Sequence, residues 1–172
     1  MKLMFDTNVF NDILDGKIDV MTLPPKAEVF ATHIQLDEIN NTKDDLRRSR
    51  LLSVFHSLIE GDSIPTESTV IGVSRLGESK LSGKKIPTET MVWDISRWDE
   101  AKWSSGELYE KIKMELDKKN GGKINNIQDA LIAETSIVNE FTLITRDNDL
   151  GAVVKSLGGQ HIDLVDLKKL KI

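Results

Sequence analysis

The sequence predicts an α/β fold built on a central, mainly parallel sheet. Three observations predict it. Short apolar runs alternate with segments whose apolar residues recur at helical spacing, which is the pattern of strands joined by crossover helices. Two of the runs, Leu3-Met4-Phe5 and residues 141–145, end directly at acid-bearing turns, Asp6-Thr7-Asn8 and Arg146-Asp147-Asn148-Asp149. The chain of 172 residues suits one domain, or one domain with a substantial insertion.

The elements follow in order. Leu3-Met4-Phe5 reads as a buried strand that ends at Asp6. Val9, Phe10, Ile13 and Leu14 recur at helical spacing and Gly16 stops them, so a helix capped by Thr7 or Asn8 is expected. Pro24-Pro25 breaks the chain, and residues 27–31 read as a second short strand. Thr32 with Gln35 three residues on forms a capping box. From there Ile34, Ile39, Leu46, Leu51, Leu52, Phe55, Leu58 and Ile59 predict one or two helices running to Gly61. Residues 61–92 are rich in Gly, Ser, Thr and Pro, with one apolar patch at Val70-Ile71-Gly72-Val73. Leu108, Ile112 and Leu116 predict a helix closed by Asn120-Gly121-Gly122. Asn125-Asn126 caps the next helix, with Ile127, Ala130, Leu131, Ile137 and Val138 as its buried stripe. Residues 141–145 form a strand, 152–157 a helix and 161–167 a last strand.

Composition removes several function classes. There is no cysteine, so disulfides, thiolate metal sites and cysteine nucleophiles are excluded. No apolar run approaches the roughly 18 residues of a membrane helix. The start, Met1 to Asp6, meets an acid too early for a signal-peptide core, and the chain reads as cytoplasmic. The net charge of −5, from 28 acids against 23 bases, speaks against a strongly basic nucleic-acid binder. That argument inverts if several acids converge and hold a cation. No Walker loop, Gly-x-Gly-x-x-Gly or Gly-x-Ser-x-Gly occurs. An Asp-x-Asp phosphotransferase motif is broken because position 8 is Asn.

Four acids stand out by position. Asp6 ends the first strand, Glu38 lies in the second turn of the helix begun at Thr32, Asp129 lies near the start of its helix, and Asp147 follows the strand 141–145. In a parallel sheet, strand carboxyl ends and helix N-termini share one edge, where ligands bind. All four acids then meet in one cleft. Taken singly, each has a bland reading: Asp6-Thr7-Asn8 as a cap, Asp129 as a first-turn acid, Asp147 as a turn residue, Glu38 as a solvated helix acid beside Asp37. Taken together, clustered carboxylates repel one another and cost stability unless a cation fills the cluster. Oxygen-only ligands suit Mg2+ or Mn2+.

The motifs carry a resemblance. Phe5-Asp6-Thr7-Asn8-Val9-Phe10 resembles the opening of PIN-domain nucleases. Asp129-Ala130-Leu131-Ile132-Ala133 is similar to their third acidic motif, and Leu143 through Leu150 to their fourth. Glu38, in Gln35-Leu36-Asp37-Glu38-Ile39, matches the second acid. The resemblance covers residues 1 to about 50 and about 123 to 167. It implies a PIN-like three-layer α/β/α fold across 1–172, with an inserted or divergent segment at about 61–105. It implies a Mg2+- or Mn2+-dependent endoribonuclease, related to the VapC-type toxins of toxin–antitoxin pairs, with RNA as substrate, a cognate antitoxin as partner and a homodimeric state. By the same carry-over, Asp6, Glu38, Asp129 and Asp147 hold the metal, Asp149 is an additional or outer acid, and Thr7, Asn8 and Thr145 orient the carboxylates or a bound water. A silent RNA- or protein-binding module and a nuclease acting on DNA are the competing readings.

The remaining features are less committed. Lys43, Arg47, Arg48 and Arg50 form a basic run that either holds RNA phosphates or is a solvated helix face. His33, His56 and His161 show no mutual ligand spacing and read as packing or surface residues. Trp93, Trp98 and Trp103 are five residues apart, so they do not share a helical face; they read as packing of the inserted segment or contact with a partner, ahead of stacking on RNA bases. Lys168, Lys169 and Lys171 read as a solubilising tail.

Overall fold

The computed structural model describes residues 1–24, 26–59, 61, 63–75, 77–79 and 107–167. β1 (Lys2–Phe5) leads into α1 (Thr7–Leu14), a 3-10 turn (Val20–Thr22), β2 (Glu28–Phe30), α2 (His33–Asn40) and α3 (Asp45–Leu58). Then follow α4 (Glu107–Asn120), α5 (Asn126–Val138), β3 (Thr142–Thr145), α6 (Asn148–Ser156), β4 (Gln160–Asp163) and α7 (Leu164–Leu167). The four strands form one all-parallel sheet in the order β2-β1-β3-β4.

The strand alternation sorts the core into two layers. Met4 and Leu143 point to the side covered by α4, α5 and α6, where they pack with Ile112, Leu116, Leu131 and Val153. Leu3, Phe5 and Ile144 point the other way, onto Val9, Phe10, Leu51 and Phe55 of α1 and α3. Three aromatic rings bind that second layer, with Phe10 centred 5.9 Å from Phe5 and 5.1 Å from Phe55. The result is the three-layer α/β/α arrangement expected from the sequence. Its register places Phe5 opposite Ile144, so Asp6 and Thr145 emerge side by side at the carboxyl edge of the two central strands.

Several boundaries differ from the sequence reading. α1 is capped by Asp6, not by Thr7 or Asn8: the Asp6 backbone is extended and its side chain accepts the Thr7 N–H. Residues 33–58 form two helices because Asp44 starts the second by accepting the Arg47 N–H at 2.7 Å. Asn125 makes no side-chain cap, and the buried surface of α5 runs from Ala130 through Ser136, while Val138 is exposed. α6 begins at Asn148 rather than 152 because Asp147 caps it. The last strand stops at Asp163, and Leu164–Leu167 is a helical turn.

The described part of the inserted segment lies against α2 and α5. Ile64 N–H donates to Ala31 O at 2.9 Å, and Ser68 Oγ donates to the buried Glu134 at 2.9 Å. Residues 80–106, with Trp93, Trp98 and Trp103, lie outside the described residues, as do Pro25, Lys168, Lys169 and Lys171. Among the described residues no helix is long and apolar enough to cross a membrane.

Candidate catalytic site

The carboxyl edge of β1 and β3 builds the site outward from Asp6. The Asp6 N–H donates to Ile144 O at 3.0 Å, which continues the β1–β3 ladder and seats the carboxylate at the edge. Oδ1 of Asp6 accepts the Thr7 N–H at 2.7 Å. Oδ2 accepts from Thr145 Oγ1 at 2.6 Å and also from the Asn8 amide. Asn8 is itself held by Thr145 Oγ1 at 3.0 Å and by the Arg146 N–H at 3.2 Å. Thr145 Oγ1 in turn accepts the Asp147 N–H at 2.9 Å. One hydroxyl thus links the first acid to the turn that carries the fourth.

The other acids arrive on helices. Glu38 sits half-buried on α2, and Thr7 Oγ1 donates to its Oε2. Asp147 commits Oδ1 to the N–H groups of Asp149 and Leu150, at 2.8 and 3.0 Å. Asp129 lies in the first turn of α5. Its carboxyl is pushed up to about 8, first by burial, then by the charges of Asp6, Glu38 and Asp147, with Lys123 opposing. Asp6 is raised mainly by burial, against which the Thr145 hydrogen bond works; Glu38 is raised mainly by burial, opposed by Thr7 and reinforced by Asp6. The structure therefore brings Asp6, Glu38, Asp129 and Asp147 within electrostatic reach of one another.

The donor set is oxygen-only and its charges oppose each other, which is the chemistry that a hard divalent cation relieves. Among the described residues, no three acids or histidines already enclose a common point at ligand spacing. The acids are coupled in charge without being drawn onto one centre.

Thr7, Asn8 and Thr145 all touch site carboxylates, as described. Asp149 is half-buried in the first turn of α6 and contributes its backbone N–H to Asp147. Of the basic run, Lys43 is exposed. Arg47 is engaged by Asn11 of α1 and by Asp15 at its C-cap, both at 2.9 Å, and Arg48 by Asp45 at 2.6 Å and Thr42 O at 2.9 Å. These two arginines tie α3 to α1 and to the start of α3 itself. His33 is buried on α2, His56 exposed on α3, and His161 half-buried against Gly151.

Two supporting residues escaped the sequence reading. Gln35 does more than close the capping box: its Nε2 donates to Phe5 O at 2.9 Å, tying α2, and with it Glu38, to the end of β1. Asp12 is buried on α1, and its Oδ1 accepts from Lys17 at 2.7 Å and from Arg146 at 2.8 Å. That pair pulls the β3–α6 turn onto α1. An acid at position 12, set among the apolar residues of the first helix, was the available signal, but its partner lies 134 positions away.

No protein-family model matches the sequence, and no curated protein matches it. Solved structures do. A chain of VapBC2 from Rickettsia felis, crystallised bound to a DNA fragment from their promoter, superposes with a TM-score of 0.51 at 17% identity, covering 95% of this chain and 98% of that one. A chain of VapBC-5 from Mycobacterium tuberculosis, a member of the VapBC family of toxin-antitoxin systems, gives 0.49 at 15% identity, covering 94% and 96%. A chain of FitAcB from Neisseria gonorrhoeae gives 0.47 at 14% identity, covering 93% and 96%. With its all-parallel sheet, its helices on both faces and its likeness to the VapBC2 chain, this protein has the PIN-like α/β/α fold.

Proposed function

We propose that the protein is a metal-dependent endoribonuclease that hydrolyses RNA phosphodiester bonds and serves as the toxin of a toxin–antitoxin pair. The observation that carries the nuclease reading is the electrostatic coupling of Asp129 to Asp6, Glu38 and Asp147 at the carboxyl edge of the sheet. The toxin reading rests on the resemblance of the acidic motifs to VapC-type toxins, and the likeness to the VapBC2 chain accords with it. That resemblance also leads to a homodimer, which sedimentation tests.

Asp6, Glu38, Asp129 and Asp147 would hold Mg2+ or Mn2+, which when bound lowers the pKa of water and offsets charge on the phosphate. The chain's own residues do the positioning. Thr145 and Asn8 orient Asp6, and Thr7 orients Glu38. Asp147 spends Oδ1 on two backbone N–H groups, so its Oδ2 carries no hydrogen bond among the described residues and is free to act as a ligand. In-line attack by water on the scissile phosphate leaves 5′-phosphate and 3′-hydroxyl ends.

The test is cleavage of a mixed RNA pool in Mg2+, in Mn2+ and in EDTA, beside Asp6→Asn. Expected is cutting that needs metal and falls at least about 100-fold in the variant, equivalent to about 2.7 kcal/mol of transition-state stabilisation. Asn keeps the cap and the shape, so the variant stays folded. A folded wild type that cuts DNA but not RNA would change the substrate, and one that cuts neither would leave a binding module. Equal cutting by the variant would remove Asp6 from the site.

A further inference from the structure

A cavity of about 250 Å3 opens between α2, the loop around Gly72 and the start of α5, which supply its lining among the described residues. It lies beside the acidic cleft and not in it. Asp37 and Gln128 line it, and each immediately precedes a site acid, Glu38 and Asp129. Consecutive helical residues point about 100° apart, so cavity and cleft occupy adjoining faces of the same two helices.

The chemistry of the two faces differs. Among the described residues, the charged lining of the cavity is Asp37 and Arg75, ion-paired with each other, which leaves no net charge from them. Arg75 is also held by Glu78, 3.4 Å away, so its donors are pre-set. The amides of Asn40, Asn41 and Gln128 complete the polar wall, and their side chains make no hydrogen bond among the described residues. Ile34 forms the buried floor, and half-buried Val73 adds a small apolar edge. Gly72 stands at the rim with φ +85°, and a Cβ there would meet nothing within 4 Å.

A neutral, amide-lined hollow attracts neither a cation nor a phosphate while an acidic cleft adjoins it. It suits a neutral planar heterocycle. Free amides offer donor and acceptor together, the pattern that base edges present. The volume is below the range of about 300–1,000 Å3 that holds drug-sized ligands, as one base requires. We propose that this cavity is a nucleobase pocket that seats one splayed base of single-stranded RNA beside the scissile phosphate and so sets sequence preference. Its role in cleavage rests on the nuclease reading; its role in binding does not.

The test is fluorescence anisotropy of short labelled oligo-A, oligo-C, oligo-G and oligo-U on Asp6→Asn in Mg2+ buffer, with and without Asn40→Ala and Gln128→Ala. Neither amide holds the fold, so the added substitutions leave Tm in place. Expected is one oligonucleotide bound at least about tenfold tighter than the poorest, compressed to within about threefold by the two substitutions. Equal affinity for all four in the parent, or a preference that survives the substitutions, would overturn the pocket. A wild type that cuts nothing would defeat the nuclease reading and leave this outcome separately readable.

Discussion

Asp129 carries a carboxyl group in the company of three others, and its protonation is tied to folding. In the unfolded chain it titrates near 3.8; folded, near 8. A folded pKa raised above the unfolded one means that the folded state holds its proton longer. Stability from this group is therefore full below about pH 4 and is lost as pH rises toward about 8. Asp6 and Glu38 are raised as well and act with the same sign. In metal-free buffer, Tm should fall between about pH 4 and pH 8, and Asp129→Asn should raise Tm by roughly 10 °C at the higher pH with little effect at the lower. Thermal unfolding with EDTA measures this. Equal responses of variant and wild type would show that neither burial nor the neighbouring acids raise the Asp129 carboxyl. At this scale the sequence picked out acids that the structure places within electrostatic reach of one another, and said less about how they are held. Asp, Thr and Asn are all good N-caps, so the choice of Asp6 over its neighbours depends on the strand running extended through Asp6, which residue types alone do not reveal.

The elements are joined by contacts that local pattern does not show. Arg146 sits between Thr145 and Asp147, and its ion pair with the buried Asp12 anchors their turn to α1. Arg146→Ala should cost about 1–3 kcal/mol, because Asp12 keeps Lys17 but loses its second donor. The turn then loosens, so cleavage should fall more than binding of RNA does. Chemical denaturation and the split between kcat and KM check both parts. Gly151 offers a second case, inside α6. A Cβ there would meet the His161 ring at 2.3 Å. Gly151→Ala should therefore destabilise by about 1 kcal/mol or more even though alanine favours helix by about as much. Adding His161→Ala should reverse the sign, and a Tm series of the two single variants and the double variant measures it. Helices α1 to α6, though not the break between α2 and α3, and three of the four strands were legible because apolar spacing is local. The end of β4 was not: Ile162 and Leu164 alternate as a strand does, and α7 takes over from Leu164. The α5 stripe widened because the described part of the inserted segment covers a face that pattern alone leaves open, burying Glu134 beneath Ser68.

In the whole molecule, a parallel sheet delivers four acids to one edge, where their charges oppose folding; in the proposed function a cation would offset them. The order of the acids and the strand–turn contexts of Asp6 and Asp147 pointed to that edge from sequence. The nucleobase pocket did not, because its walls come from α2, the loop around Gly72 and α5, distant in the chain. The most direct test is thermal unfolding at about pH 8 in EDTA and in saturating Mn2+, for the wild type and for Asp6→Asn with Asp147→Asn. A site filled to about 100 times its Kd gains about 2.7 kcal/mol, so wild-type Tm should rise by roughly 5–10 °C on adding metal. The variant should start above the wild type in EDTA and respond to metal by less than about 1 °C. A wild type indifferent to Mn2+, or a variant that gains as much from it, would contradict the account.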